Sequence, residues 1–321
     1  MQAILAVTAP FFALVLCGYL AAQRHVLPES AIPGLNAFVL YFALPCMLFR
    51  FGANTPVLEV LNPAQLGVYL LVALVMVAFT IAVTLDDQVR LKDAAFGALV
   101  AAFPNTGFMG VPLLVALLGP AAAGPAICTI AADLVVTTTL CLALAEAEGT
   151  AGQGMWQSAR RVLRGAARNP MPWAIALGAA FSALGWRLGG PADTVVRMLA
   201  DAASPVALFT IGAVLWRAGR HAHTRTPPAR FLPVAAIKLL LHPLLVLLVG
   251  AAARQLGAPL PWFALMVMTL VAALPSASNV SILAERYGAD NGRVARIIMS
   301  STVLAFLSFT GITWLFGVRP G

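Results

Sequence analysis

Charge is what this sequence has least of. Only 10% of its 321 residues are Asp, Glu, Lys or Arg, while 61% are hydrophobic and the mean hydropathy is +0.91. A soluble domain carries roughly 25% charged residues, so the chain reads as an integral membrane protein with no room for a soluble domain. The net charge of +8 does not point to nucleic acid, because basic residues are the natural flanks of membrane helices. Catalytic signatures are missing too. There is no His-Glu-x-x-His run, no pair of catalytic aspartates and no nucleophile elbow, which disfavours a membrane enzyme. No Walker motif is present, which disfavours an ATP-driven pump. Cysteine is scarce: Cys17, Cys46, Cys128 and Cys141 all fall in apolar runs without metal-like spacing and are expected as small core residues. No cofactor is expected beyond a coupled proton or sodium ion. The first 23 residues carry no charge and no basic n-region, so they are expected to form a first span rather than a cleaved leader.

What is present is a series of apolar stretches near the roughly 20 residues needed to cross a bilayer. They predict ten helices, over 3–22, 30–50, 62–85, 94–118, 121–145, 170–187, 195–216, 231–253, 259–285 and 293–317. The loops after helices 1, 3, 5, 7 and 9 hold fourteen of the twenty Lys and Arg residues. The opposite loops hold five, Arg50, Arg187, Arg197, Arg254 and Arg319, and Lys238 lies inside helix 8. The positive-inside rule then places both termini outside the cytoplasm of a multi-pass protein of the inner membrane.

The chain also repeats itself. Residues 43–53 read ALPCMLFRFGA and residues 203–213 read ASPVALFTIGA, while VAAFP at 100–104 is matched by VAALP at 271–275. These proline-centred matches fall in the same order on helices 2 and 7 and on helices 4 and 9. The expected organisation is a first five-helix repeat over 1–145, a cytoplasmic linker over 146–169 and a second repeat over 170–321. Five is odd, so the second copy would lie inverted with respect to the first, the plan of many secondary transporters. In such proteins, paired Gly- and Pro-interrupted segments mark the substrate site. Helix 4 is interrupted at Pro104, Asn105, Thr106 and Gly107, and helix 9 at Pro275, Ser276, Ala277, Ser278 and Asn279. Each interruption would offer half-helix N–H groups suited to an anion and carbonyls suited to a cation. Pro104, Asn105, Thr106, Gly107, Pro275, Ser276, Ser278 and Asn279 are the expected substrate-binding residues. Two proline kinks packed against their neighbours are the alternative.

Other polar residues stand out in apolar surroundings. Asp133 lies midway along helix 5, where an ionised carboxylate costs on the order of 2.5–3.5 kcal/mol and often marks an ion path. The alternative is a neutral, hydrogen-bonded structural group. Lys238 in helix 8 has three readings: it snorkels to the interface, pairs with Asp133, or meets a substrate carboxylate. Asp133 and Lys238 are thus the candidate coupling residues. His242, just before Pro243, reads as a packing or helix-bonding residue. Glu285 and Arg286 read as an interfacial pair, and His221 and His223 as part of a solvated loop. The basic stretch beside Trp156 fits either the anionic inner leaflet or an ordinary cytoplasmic flank.

The runs FPNTGFMGVPLL and ALPSASNVSILAERYG, with ALPCMLF and IKLLLHPLL, resemble segments of the auxin efflux carrier family. The resemblance spans essentially the whole chain, and its N-T-G-x-x-G-x-P run is the most specific part. It implies a fold similar to sodium/proton antiporters and bile acid symporters, with two broken helices forming a crossover beside a scaffold. Plant members export the carboxylic acid auxin, and bacterial relatives are linked to dicarboxylates such as malate and malonate. The short central loop at about 146–169 resembles the prokaryotic type. The expected function is therefore secondary transport of a small organic anion by alternating access, with the lipid bilayer and a small carboxylate as partners. A homodimer stays open. A proton- or sodium-coupled ion antiporter and a channel are the alternatives.

Overall fold

In the computed structural model, residues 2–56, 62–147, 170–220 and 226–319 are described. All but the first two residues of the expected linker, the Trp156 stretch, His221 and His223 lie outside them. Among the described residues every regular element is a helix. In chain order they are α1 Gln2–Gln23, α2 Glu29–Ala53, α3 Pro63–Thr84, α4a Leu91–Ala102, α4b Thr106–Leu118, α5 Pro120–Ala147, α6 Pro170–Leu184, α7 Gly190–Arg220, α8 Leu232–Gln255, α9a Trp262–Ala272, α9b Val280–Tyr287 and α10 Asn291–Leu315. Seven of these (α1, α2, α3, α5, α7, α8 and α10) are long and apolar enough to cross a membrane. The apolar helices α4b, α6 and α9a are shorter.

Local chemistry sets the ends. Asn62 caps α3, its Oδ1 accepting from the N–H groups of Ala64 (3.0 Å) and Gln65 (3.2 Å) with Pro63 in the first turn. Asp290 caps α10 by accepting from Arg293 N–H at 2.9 Å, and Gly288, at φ 64°, closes α9b in the left-handed conformation. Helix α7 runs for 31 residues, well beyond the expected 195–216. At about 1.5 Å per residue it outruns the roughly 30 Å hydrocarbon layer, so its charged first turns need not lie in lipid. Further along, in the fourth turn of α7, Asp201 stands 3.9 Å from Arg50 of α2.

Proline shapes the interiors. A proline ring offers no N–H and clashes with the carbonyl four residues back. In three places the turn just before such a proline widens to i→i+5 bonding, at Val39–Ala43 before Pro45, Thr106–Gly110 before Pro112 and Ile237–Leu241 before Pro243. A fourth widened turn, Asp133–Thr137 in α5, has no proline after it.

The helices form two groups. In the first, α1 packs on α7, α7 on α2 and α2 on α6. Glycine allows these backbones to touch. A Cβ at Gly18 would overlap the Phe209 carbonyl oxygen, and one at Gly178 would stand 2.5 Å from that of Phe49. A Cβ at Gly212 would overlap the Val15 carbonyl, while one at Gly52 would lie 3.4 Å from that of Ile175. Every residue in one contact sits 160 positions from its counterpart in the other. The second group holds α3, α4a, α4b, α5, α8, α9a, α9b and α10, with α3 against α4a and α8, and α4a against α5. Helices α1 and α7 meet this group at α4b and α10. One expectation fails on the surface of the first group. Cys17 is exposed rather than in the core, because it points outward from α1; all four cysteines are free thiols.

Candidate functional site

The interruption after α4a follows from Pro104. A residue before proline is pushed out of the helical region, and Phe103 adopts φ −101°, ψ 101°. Asn105 (φ −78°, ψ 53°) then makes a tight turn in which Thr106 N–H donates to Pro104 O at 2.8 Å. The second interruption, 273–279, is longer and passes through Pro275. The two meet. Asn105 N–H donates to Pro275 O at 2.8 Å and Ala277 N–H donates to Phe103 O at 2.9 Å, an antiparallel bridge centred on Pro104 and Ser276. Backbone groups that a helix would have paired internally are thus paired across the crossing. The matching VAAFP and VAALP runs align Pro104 with Pro275, yet the bridge sets Pro104 opposite Ser276, one residue on. The longer second interruption absorbs the difference.

Around this bridge several polar atoms are buried. Asn105 and Thr106 are 3% and 0% exposed. Asn105 Oδ1, Thr106 Oγ1 and Asn279 Oδ1 have no hydrogen-bond partner among the described residues. Buried polar atoms are nearly always satisfied. Others among the described residues, Thr8 Oγ1, Thr80 Oγ1 and His242 Nε2 among them, are unpartnered too; what sets these three apart is that they flank the crossing. Ser276 N–H donates to Ser301 Oγ of α10 at 3.2 Å. Ser278 is buried, and its carbonyl accepts from Ser281 Oγ at 2.9 Å. Asn279 precedes the first turn of α9b, as Asn105 precedes that of α4b. The N–H groups of a first turn lack partners inside their own helix. A Cβ on Gly107 would touch Leu44 of α2 at 3.5 Å, so the α4 interruption lies where the two helix groups meet.

A second polar region lies beside the end of α9a. Asp133 is fully buried on its widened turn; Oδ2 accepts from Tyr69 Oη at 2.9 Å and Oδ1 from Thr137 Oγ1 at 3.0 Å. Thr138 Oγ1 donates to the Asp133 carbonyl at 2.8 Å. The Tyr69 ring lies 6.0 Å from that of His242. His242 Nδ1 is 3.2 Å from Lys238 Nζ, which donates to Ala272 O, on the last residue of α9a, at 2.6 Å. Among the described residues no ion pair joins Lys238 to Asp133. Lys238 is also fully buried and does not snorkel; its reach is taken up by the α9a carbonyl instead. Glu285 and Arg286 form no ion pair with each other either. Sequence reasoning missed Tyr69, Thr137 and Ser301 as site residues and gave His242 only a packing or helix-bonding role. Their one signal is a polar group within an apolar run.

A crossing of two interrupted helices, in a chain with seven helices apolar enough to span a bilayer, is what the family comparison meets. The model of the family described as "Membrane transport protein" matches residues 3–313. The chain belongs to this membrane transport protein family. That family takes in the auxin efflux carriers, so the resemblance read from the interrupted helices holds over the whole chain. The transporter is 29% identical to a protein of Rhizobium meliloti named "Putative malonate transporter", covering 100% of this chain and 98% of that one. It is 27% identical to the "Uncharacterized transporter YfdV" of Escherichia coli K12, covering 97% and 96%. A Methanothermobacter thermautotrophicus protein named "Uncharacterized transporter" is likewise 27% identical, over 92% of each chain. These relatives are named as transporters, and the present chain is a multi-pass transporter of the lipid bilayer rather than an enzyme.

Proposed function

We propose that the transporter is a secondary carrier of a small organic anion, a carboxylate such as malonate or malate or an auxin-like acid, bound where the two interruptions cross. One observation carries this reading: Asn105 Oδ1, Thr106 Oγ1 and Asn279 Oδ1 are buried beside the Pro104–Ser276 bridge without a partner among the described residues. The Thr106 hydroxyl can donate to a carboxylate, while the two amide oxygens accept and would take a hydroxyl or protonated carboxyl of the ligand, or a cation that travels with it. The first turns of α4b and α9b add backbone N–H groups and their positive dipole ends. Pro104, Gly107, Pro275, Ser276 and Ser278 shape the same walls. The name of the Rhizobium relative favours malonate as the first ligand to try. The site's place between the two helix groups suits alternating access, in which one group moves against the other.

The architecture we infer is ten spans in two inverted repeats, 1–145 and 170–321, joined by a cytoplasmic linker. The exchange of contacts between the Gly18–Phe209 and Gly178–Phe49 pairs at a fixed displacement supports a two-fold relation. So does the reciprocal hydrogen bonding of the two interruptions. Fourteen of twenty basic residues in alternate loops support an inner-membrane orientation with both termini outside. Asp133 and Lys238 are the proposed coupling groups. A widened turn without a proline often marks function, and the Asp133 turn is of that kind.

Counterflow of labelled malonate in liposomes tests the carrier reading. Saturable exchange is expected, and Asn105→Ala or Asn279→Ala should weaken apparent affinity by about 1–3 kcal/mol. Unchanged affinity in both variants would place the site elsewhere, and non-saturable flux would favour a channel.

A further inference from the structure

The end of α9a poses a charge problem. A helix that stops inside the protein leaves its last four carbonyls without intrahelical donors, and its negative dipole end attracts a cation. In water, solvent would serve. Here the last residue, Ala272, is completely buried, as are Val271, Ala273 and Leu274.

Lys238 meets that end. Its side chain rises from the widened Ile237–Leu241 turn of α8 and places Nζ 2.6 Å from Ala272 O. Its other polar neighbour, His242 Nδ1 at 3.2 Å, is one turn along the same helix. No carboxylate reaches it within ion-pair distance among the described residues. Asp133, the buried acid of the region, has each oxygen occupied by a hydroxyl, from Tyr69 and Thr137. Among the described residues the partner of this ammonium is therefore a helix end. An ammonium donates to carbonyl oxygens of the kind that ligate an alkali cation, and it carries the same charge.

We propose that Lys238 is the resident cation of the α9 interruption, a tethered ammonium in the position that a free sodium ion would otherwise take. This rests on the reading of the crossing as the transport site and adds that its cation is covalently supplied. Sodium then has no role at α9a, and carboxylate exchange runs independently of it. The widened turn has a purpose in this arrangement: it turns Lys238 toward α9a while accommodating Pro243.

The test uses purified full-length protein and sodium itself as the probe, so it does not depend on knowing the substrate. Melting temperature is measured in sodium chloride and in N-methylglucamine chloride at equal ionic strength. The wild-type protein is expected to melt at the same temperature in both. Lys238→Ala should melt several degrees lower in N-methylglucamine and recover in sodium with a saturable dependence, while Lys238→Arg should stay sodium-blind. A saturable sodium-specific rise in the wild type overturns the proposal. So does a Lys238→Ala protein that is monodisperse, as stable as wild type and blind to sodium. If Lys238→Ala does not fold, the wild-type comparison alone decides between a sodium site and a tethered cation. Malonate counterflow in the two salts separates the readings: a carrier that exchanges malonate only with sodium refutes the tethered cation, and sodium-blind melting without malonate exchange refutes the substrate assignment alone.

Discussion

The two helix groups are held together by opposite means. In the α1–α7–α2–α6 group the contacts are backbone on backbone, made possible by Gly18, Gly52, Gly178 and Gly212. In the α3–α4–α5–α8–α9–α10 group the contacts run through buried polar side chains, Tyr69 to Asp133, Lys238 to Ala272 and Ser301 to Ser276. Lipid tails are as apolar as leucine, so apolar burial gives helices little reason to associate in a membrane. Close approach of small residues and interhelical hydrogen bonds provide it instead. The first means gives a closely packed panel. The second gives a body that can bind, because its polar groups are already desolvated and aimed.

The sharpest way to break this contrast is to add bulk where the panel has none. Gly212→Leu should exceed about 4 kcal/mol of destabilisation, since even a Cβ would overlap the Val15 backbone and backbone cannot rotate aside. Loss of monodisperse protein on size-exclusion chromatography is the expected result; a well-folded variant would mean that the two helices separate freely. In the other group, removing one polar partner should do less. Tyr69→Phe leaves the buried Asp133 carboxyl short of a donor and should lower stability by about 1.5–3 kcal/mol if Asp133 is ionised, read as a drop in melting temperature. Thr137→Val removes the other donor with little change in shape and should have an effect nearer 1 kcal/mol. Asp133→Asn keeps the shape and cannot change charge. It should retain substrate exchange while losing acceleration by an imposed proton gradient, compared in the same liposomes. The smallest effect is expected at Gly67, an exposed α3 position where a Cβ meets nothing within 4 Å. Gly67→Ala should leave melting unchanged or raise it by up to about 1 kcal/mol. A loss there would show that α3 has a neighbour besides lipid.

Much of the fold was legible because lipid restricts the choices. Apolar runs of the right length and charged loops mark spans whatever their partners, and Pro104 and Pro275 mark interruptions by local chemistry alone. The repeat was visible in ALPCMLFRFGA and ASPVALFTIGA, which include Gly52 and Gly212, but Gly18 and Gly178 stood in no recognisable run, and a lone glycine is weak evidence. The register of the crossing was not legible: the matching runs align Pro104 with Pro275 but do not say which residues face each other, and the bridge sets Pro104 opposite Ser276. Nor was the company of Asp133. Tyr69 lies 64 positions away, and nothing in an apolar run says which of its faces will meet a carboxylate. Lys238 was conspicuous, but its partner is a backbone carbonyl, a group that every residue possesses and no sequence pattern advertises.

The reciprocal glycine contacts bear on how the protein is made. Helix α1 finds its contact in α7, and α2 finds its contacts in α6 and α7, none of which is synthesised until the central residues have left the ribosome. Neither half contains a finished panel. The early helices must therefore wait in the membrane, side chains against lipid, until their mates arrive from the later half. Expressed as two separate polypeptides, 1–147 and 170–319 would each present a glycine-lined groove fitted to the other.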